Sequence, residues 1–367
     1  MLFDPPIPLA YDPALEVREK AEEDVDASMQ ATMQKIREKT LADGGHAIRS
    51  VHAKSHGMIQ GELQVFDDLP AVMKQGLFAQ GGRYPVIMRF STIPGDILDD
   101  NVSTPRGVAM KIIGVDGPRL PGSEGDVTQD FVLVNAPAFN SPNAKTFAAN
   151  LKLLAATTDK AQGAKTILSA AMRGVEAALE SVGVRSPLVV TLGGQAETHI
   201  LGDTFYSQVP ILYGDYIVKV SLAPISPELK ALTKAHVDLK GKPDGLRESM
   251  NAFFATTGGQ WELRVQFAIN HHDTPIENAA HIWPEDKSHY LPVGIVTVQP
   301  QTAWSEARSK AVDDGLSFSP WHGLAAHRPL GSVMRARKVA YEQSAQFRAE
   351  HNGVVIVEPK TFTPLPE

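Results

Sequence analysis

From residue 58 to residue 135 the chain carries four β-rich runs in succession, with no helical run between them. Met58–Phe66 alternates Ile59, Leu63 and Val65 against Gln60, Glu62 and Gln64, the period of a half-buried strand. Tyr84–Thr92, Gly107–Val115 and Gln129–Asn135 follow, separated by Gly, Pro and Asp clusters that suit turns. Strands that succeed one another directly predict an antiparallel sheet or barrel rather than a βαβ fold. Further runs occur at Leu188–Leu192, Tyr206–Leu212, Tyr216–Leu222, Trp261–Asn270 and Gly294–Gln299. Residues 143–158 and 161–183, rich in Ala, Leu and Lys, read as helices, as do 303–314 and 332–352.

Upstream, a proline-rich arm over 1–12 precedes a segment, 13–39, with apolar Leu15, Val17, Ala21, Val25, Met29, Met33 and Ile36 spaced for a solvent-facing helix. The expectation is an α+β chain without a linker. It has an arm and helix over 1–40 and a β-barrel domain over 41–367, with a helical insertion at about 143–183 and a helical C-terminal section.

A net charge of -7 gives no reason to expect nucleic acid or an anionic membrane as a partner. No apolar run approaches the roughly 20 residues of a membrane span, and the N-terminus lacks the pattern of a signal peptide. A cytoplasmic location is the default. The absence of cysteine removes thiolate nucleophiles, thiolate-ligated haem and Cys-based metal clusters together.

Three segments can carry chemistry. In Arg335-Ala-Arg337-Lys-Val-Ala-Tyr341, Arg337 and Tyr341 stand four apart and share a helix face, and Arg348 returns to that face two turns on. A guanidinium beside a phenol favours the phenolate, a hard anionic ligand suited to ferric iron. The plainer alternative is a surface helix with a packed Tyr and solvated Arg residues. In Arg49-Ser-Val51-His52, the imidazole suits proton shuttling, although a His before a strand is more often structural. Arg89 sits inside an otherwise apolar strand, Pro85–Thr92, and a buried Arg needs an anion: a structural carboxylate or a cofactor's. His271-His272-Asp273 reads as a solvated loop, because adjacent strand residues face opposite ways.

Together these segments resemble the haem catalase superfamily. Arg49-x-Val51-His52-Ala53-Lys54 is similar to its distal motif. Arg89-Phe90-Ser91-Thr92, Pro105-Arg106-Gly107, Ile282-Trp283-Pro284, Pro292-Val293-Gly294 and Phe318-Ser319-Pro320 resemble later blocks in order, and Arg337-x-x-x-Tyr341 with Arg348 resembles its proximal helix. The resemblance implies a haem-catalase-like fold with haem b inside an antiparallel β-barrel with attached helices. It implies Tyr341 as iron ligand, Arg337 as its charge partner and His52 as distal acid–base residue. Ser91 would orient His52, Val51 and Phe139 would narrow the distal side, and Arg49, Arg89 and Arg348 would neutralise the propionates. The family's second distal polar residue, an Asn, is missing; Thr128 or Gln129 is the nearest substitute. No flavodoxin-like C-terminal domain follows the proximal helix.

The chain therefore looks like a compact, divergent catalase-like or catalase-related peroxidase. Peroxide would be its substrate, with an organic electron donor as a second partner. The alternatives are a fatty-acid hydroperoxide-metabolising enzyme or a haem-binding protein with little turnover. Members of that superfamily commonly form homo-oligomers, and the proline-rich arm could thread into a neighbour.

Overall fold

A computed structural model describes residues 4–155 and 195–367. The expected helix over 161–183 and strand Leu188–Leu192 lie outside the described residues.

The strands are β1 (Ser55–Val65), β2 (Gly82–Thr92), β3 (Arg106–Ile113), β4 (Thr128–Val134), β5 (Phe205–Tyr206), β6 (Ile211–Tyr213), β7 (Tyr216–Pro224), β8 (Gly259–Phe267) and β9 (Leu291–Val298). Every pairing is antiparallel. Neighbours run β5-β4-β3-β2-β1-β9-β8-β7, and a β5–β7 pairing joins the ends. The result is an eight-stranded antiparallel barrel, with β6 added as a hairpin on β7. Closure leaves the barrel strands without a free edge.

The run Tyr206–Leu212 is two short strands rather than one. Gln208 between them takes a left-handed backbone (φ 64°) and Pro210 offers no N–H, so pairing stops and restarts.

The two-residue period of the strands sorts their side chains between two compartments. Met88 and Phe90 of β2, Val108, Met110 and Ile112 of β3, and Phe131 and Leu133 of β4 point into the lumen. There they pack with Phe205, Val220, Trp261, Leu263 and Val296 into one fully buried core. The residues that alternate with them, such as Ile87, Arg89, Ala109 and Val132, face outward toward the helices. The helices are α1 (Glu22–Gly44), α2 (Ala144–Ala155), α3 (Gly245–Phe254) and α4 (Ser332–Asn352), with shorter turns between.

Helix α1 starts later than its apolar spacing suggests, and it is not a solvent-facing helix. Met29, Met33 and Ile36 are buried with Ala144, Ala148 and Leu151 of α2 and Ala336 and Ala340 of α4. Arg335 pins α4 in place through Glu22 of α1 (2.5 Å) and Glu277 (2.9 Å). The expected helix over 303–314 is a single α-turn, Glu306–Ser309, continued by a π-turn, Lys310–Asp314, which brings Asp313 to the barrel wall. No helix among the described residues is long and apolar enough to cross a membrane.

Candidate active site

A cavity of about 1330 Å³, open mouth included, lies between the outer face of β2–β4 and helices α1, α2 and α4. The lumen of the barrel is filled with apolar side chains, so the expectation of a cofactor inside the barrel is corrected: space for one lies outside it.

The cavity brings together Arg49, Val51, His52, Arg89, Ser91, Phe139, Arg337, Tyr341 and Arg348. Thr128 is not among its walls. It opens β4 at the far end of the strand, where its Oγ1 bonds His322 Nε2 (2.8 Å) and Glu358 Oε1 (2.5 Å). Gln129 is equally remote, its amide engaged by Leu324 N and Asp130 O. The turn preceding β4 carries this end of the strand away from His52, which sits by the opposite end of β3, so neither residue replaces the missing Asn. The amides that do reach the cavity are Asn140 and Gln208. The His272 imidazole is almost fully solvent-exposed beside Asp273.

His52 is held from several sides. Its backbone is left-handed (φ 54°) and its N–H donates to Ile93 O (2.7 Å). Its Nδ1 shares a hydrogen bond with Ser91 Oγ (3.0 Å), which leaves Nε2 without a partner among the described residues. The ring lies against Gly107, where a Cβ would stand 2.5 Å from His52 Cε1; only glycine leaves room for it. Burial, then the positive charges of Arg89, Arg337 and Arg49, push the imidazole down to about 3. At neutral pH it is therefore a neutral base.

On α4, Arg337 Nη2 donates to Tyr341 Oη (2.7 Å). Further along that helix, Arg348 converges with Arg49 and Arg89 on Asp313. Arg49 Nη1 reaches Asp313 Oδ1 at 2.8 Å and Arg89 Nε reaches it at 2.6 Å, while Arg348 Nη1 donates to the Asp313 backbone carbonyl. Burial would raise the Asp313 carboxyl, but Arg89 and Arg49 outweigh it and hold it down to about 2. Burial, with the Arg89 charge, lowers Arg348 to about 10, and its Nε is buried with no partner among the described residues. Asp313 is the sequence-missed member of the site; its only signal is an acidic pair, Asp313-Asp314, in a segment read as helix. Against these three guanidiniums stand the carboxylates of Asp313 and Asp314, which leaves the site short of negative charge. That deficit fits the carboxylates of a haem, as Tyr341 fits its iron and the apolar walls its ring.

The architecture now has named counterparts. The chain matches solved structures of a fungal catalase (TM-score 0.59, 18% identity), a bacterial catalase (0.59, 17%) and catalase A from Saccharomyces cerevisiae (0.54, 18%). The fold is that of the catalases. The family model described as Catalase matches residues 34–164, the stretch that carries His52, Arg89, Ser91 and Gly107. The matches cover 86%, 86% and 84% of this chain but 62%, 60% and 62% of those catalases. The chain thus spans about three fifths of the solved catalases. No curated protein matches it by sequence.

Buried imidazoles in this catalase fold make stability depend on acid. Burial lowers His199, His322 and His327 to about 4, and His52 lies lower still. Below about pH 6.5 the unfolded chain takes up protons that the folded chain refuses. Stability is therefore fully present above that value and falls as pH drops, by about 1.4 kcal/mol per pH unit for each such group. The urea midpoint of the haem-free protein is expected to fall steeply from about pH 6.5 toward pH 4.5. A midpoint that stayed level down to pH 4.5 would contradict this account of the imidazoles.

Proposed function

We propose that the chain is a haem-dependent oxidoreductase that decomposes peroxide, of catalase or peroxidase type, acting on hydrogen peroxide or small organic hydroperoxides. The observation that carries this reading is one cavity holding a neutral His52, a Tyr341 phenol backed by Arg337, and three guanidiniums gathered at Asp313.

In this reading haem b supplies the redox chemistry when bound, and the protein supplies ligand, charge and proton transfer. Tyr341 Oη would hold the iron as a phenolate, and Arg337 stabilises that anion through its 2.7 Å bond. Arg49, Arg89 and Arg348 would take the propionates. His52 Nε2 accepts the proton of one peroxide oxygen and returns it to the other, which leaves as water or, from an organic hydroperoxide, as the alcohol. Ser91 holds the ring by Nδ1 throughout. Val51 and Phe139 narrow the approach. The apolar side chains of Met29, Met33, Phe147 and Leu151 along α1 and α2 favour organic hydroperoxides alongside hydrogen peroxide.

The test is uptake of haem by the haem-free protein, followed by its Soret band. Wild type is expected to give a high-spin ferric spectrum, and Tyr341→Phe to lose most of the loading or shift the spectrum. A Tyr341→Phe protein with normal loading and spectrum would remove Tyr341 as ligand. Comparing hydrogen peroxide with cumene hydroperoxide on one preparation reads the substrate preference.

A further inference from the structure

Among the described residues, three other than glycine have a left-handed backbone, and two of them, His52 and Gln208, line the same cavity. Side chains with a Cβ resist this conformation, and it persists where surrounding structure imposes it, often at functional sites. For His52 the proposed use is proton transfer. Gln208 has none in the reading above.

Gln208 follows β5 and is 7% exposed. Its amide orientation is set by chemistry: Nε2 donates to Ala138 O at 2.7 Å, so Oε1 must point the other way. Oε1 has no partner among the described residues. The neighbouring polar group, Asn140, has its Oδ1 occupied by Ser141 Oγ (3.0 Å). The strand register relates Gln208 to His52. Gly107, under the His52 ring, pairs with Val134, and Val134 pairs with Tyr206, two residues before Gln208. With strands ~4.8 Å apart, Gln208 stands roughly two strand spacings from His52, at the same end of the barrel. The loop that receives its Nε2 bond also carries Phe139 and Asn140, so the amide is braced against the cavity wall.

We propose that Gln208 Oε1 positions substrate by accepting a hydrogen bond from an O–H group, either of a hydroperoxide or of a phenolic donor. This inference rests on the reading of the cavity as a peroxide-reducing haem site. It assigns a substrate-positioning amide to the segment after β5, far in sequence from the turn before β4.

The test uses haem-loaded wild type, Gln208→Leu and Gln208→Gly. Leucine keeps the bulk and removes the acceptor; glycine removes the acceptor and relaxes the backbone. KM is measured for cumene hydroperoxide at saturating guaiacol, and for guaiacol at saturating peroxide. Phenol and tert-butanol serve as unreactive stand-ins in equilibrium spectral titrations without turnover. One hydrogen bond corresponds to about a tenfold change. Both variants are expected to raise KM about tenfold for whichever substrate Gln208 holds, with a smaller change in kcat, and to weaken the matching alcohol to the same degree. The affected arm identifies the source of the hydroxyl. Gln208→Gly is expected to melt at or above the wild-type temperature, which keeps the question answerable should the leucine variant fold poorly. Wild type that takes up no haem overturns the underlying reading, and this inference with it. Wild type that loads and turns over, with variants inside twofold of it in all four measurements, overturns this inference alone.

Discussion

Replacing His52 by alanine is expected to lower peroxide turnover by ~10²–10⁴-fold, the usual contribution of a positioned acid–base group, with haem loading unchanged. Gly107→Ala is expected to reproduce much of that loss without touching the histidine. The added methyl would stand 2.5 Å from His52 Cε1 and 2.8 Å from Nδ1. The ring has no easy retreat. Its Nδ1 is engaged with Ser91, and its backbone is fixed through Ile93 O and, at the next residue, Pro94 O. Relief therefore comes from breaking the Ser91 bond and tilting Nε2 off its line. Misplacement of a reacting group by about 1 Å can cost ~10²-fold, so a fall of that order is expected. The backbone of Gly107 is not left-handed, so the change tests contact alone. Stopped-flow peroxide consumption on haem-matched samples reads both variants. Wild-type turnover in Gly107→Ala would show that the ring does not work from this position.

The second large effect is on stability and depends on the cofactor. Asp313→Asn preserves size and a side-chain oxygen but removes the charge that Arg49 and Arg89 share. A buried ion pair broken from one side costs ~3–5 kcal/mol, because the remaining charge is stranded. Here two side-chain partners are stranded together, and Arg348 of α4 already donates to the Asp313 backbone carbonyl beside them. The haem-free variant is expected to lose about that much in urea denaturation. The loaded variant should lose distinctly less, since bound carboxylates would restore the missing charge. Equal losses in the two forms would mean that the arginines do not serve the cofactor.

Most of the barrel can be read from residue order, because β-rich runs that follow one another without a helix between them pair antiparallel with their neighbours. The closure is harder to read. It depends on β5, two residues long, paired to both β4 and β7, and a strand that short has no period. The site residues were legible where a residue type is unusual in its surroundings, as with Arg89 in an apolar strand or Arg337 four residues before Tyr341. They were illegible where the reason is tertiary. Asp313 looks like any helical acid until the π-turn aims it at β2. Gln208 looks like any strand polar residue until its backbone is seen to reverse. Thr128 failed for the opposite reason: it stands close to the expected block in sequence, but the strand carries it to the far end of the sheet. The location of the cavity also needed the structure, since alternation says that a strand has two faces and not which one covers the larger space.

The walls of the cavity come from both halves of the chain, with His52 and Tyr341 separated by about 290 residues. A ribosome adding ~5–20 residues per second makes the second roughly 15–60 seconds after the first. During that interval His52, Arg49, Arg89 and the barrel face are made, but the helix that carries Arg337, Tyr341 and Arg348 is not. Any cofactor held between His52 and Tyr341 would therefore be captured only once α4 is made. A chain lacking α4 would keep the barrel face but lose Arg337, Tyr341 and Arg348 from the cavity wall, which separates the loading of any cofactor there from the folding of the earlier part.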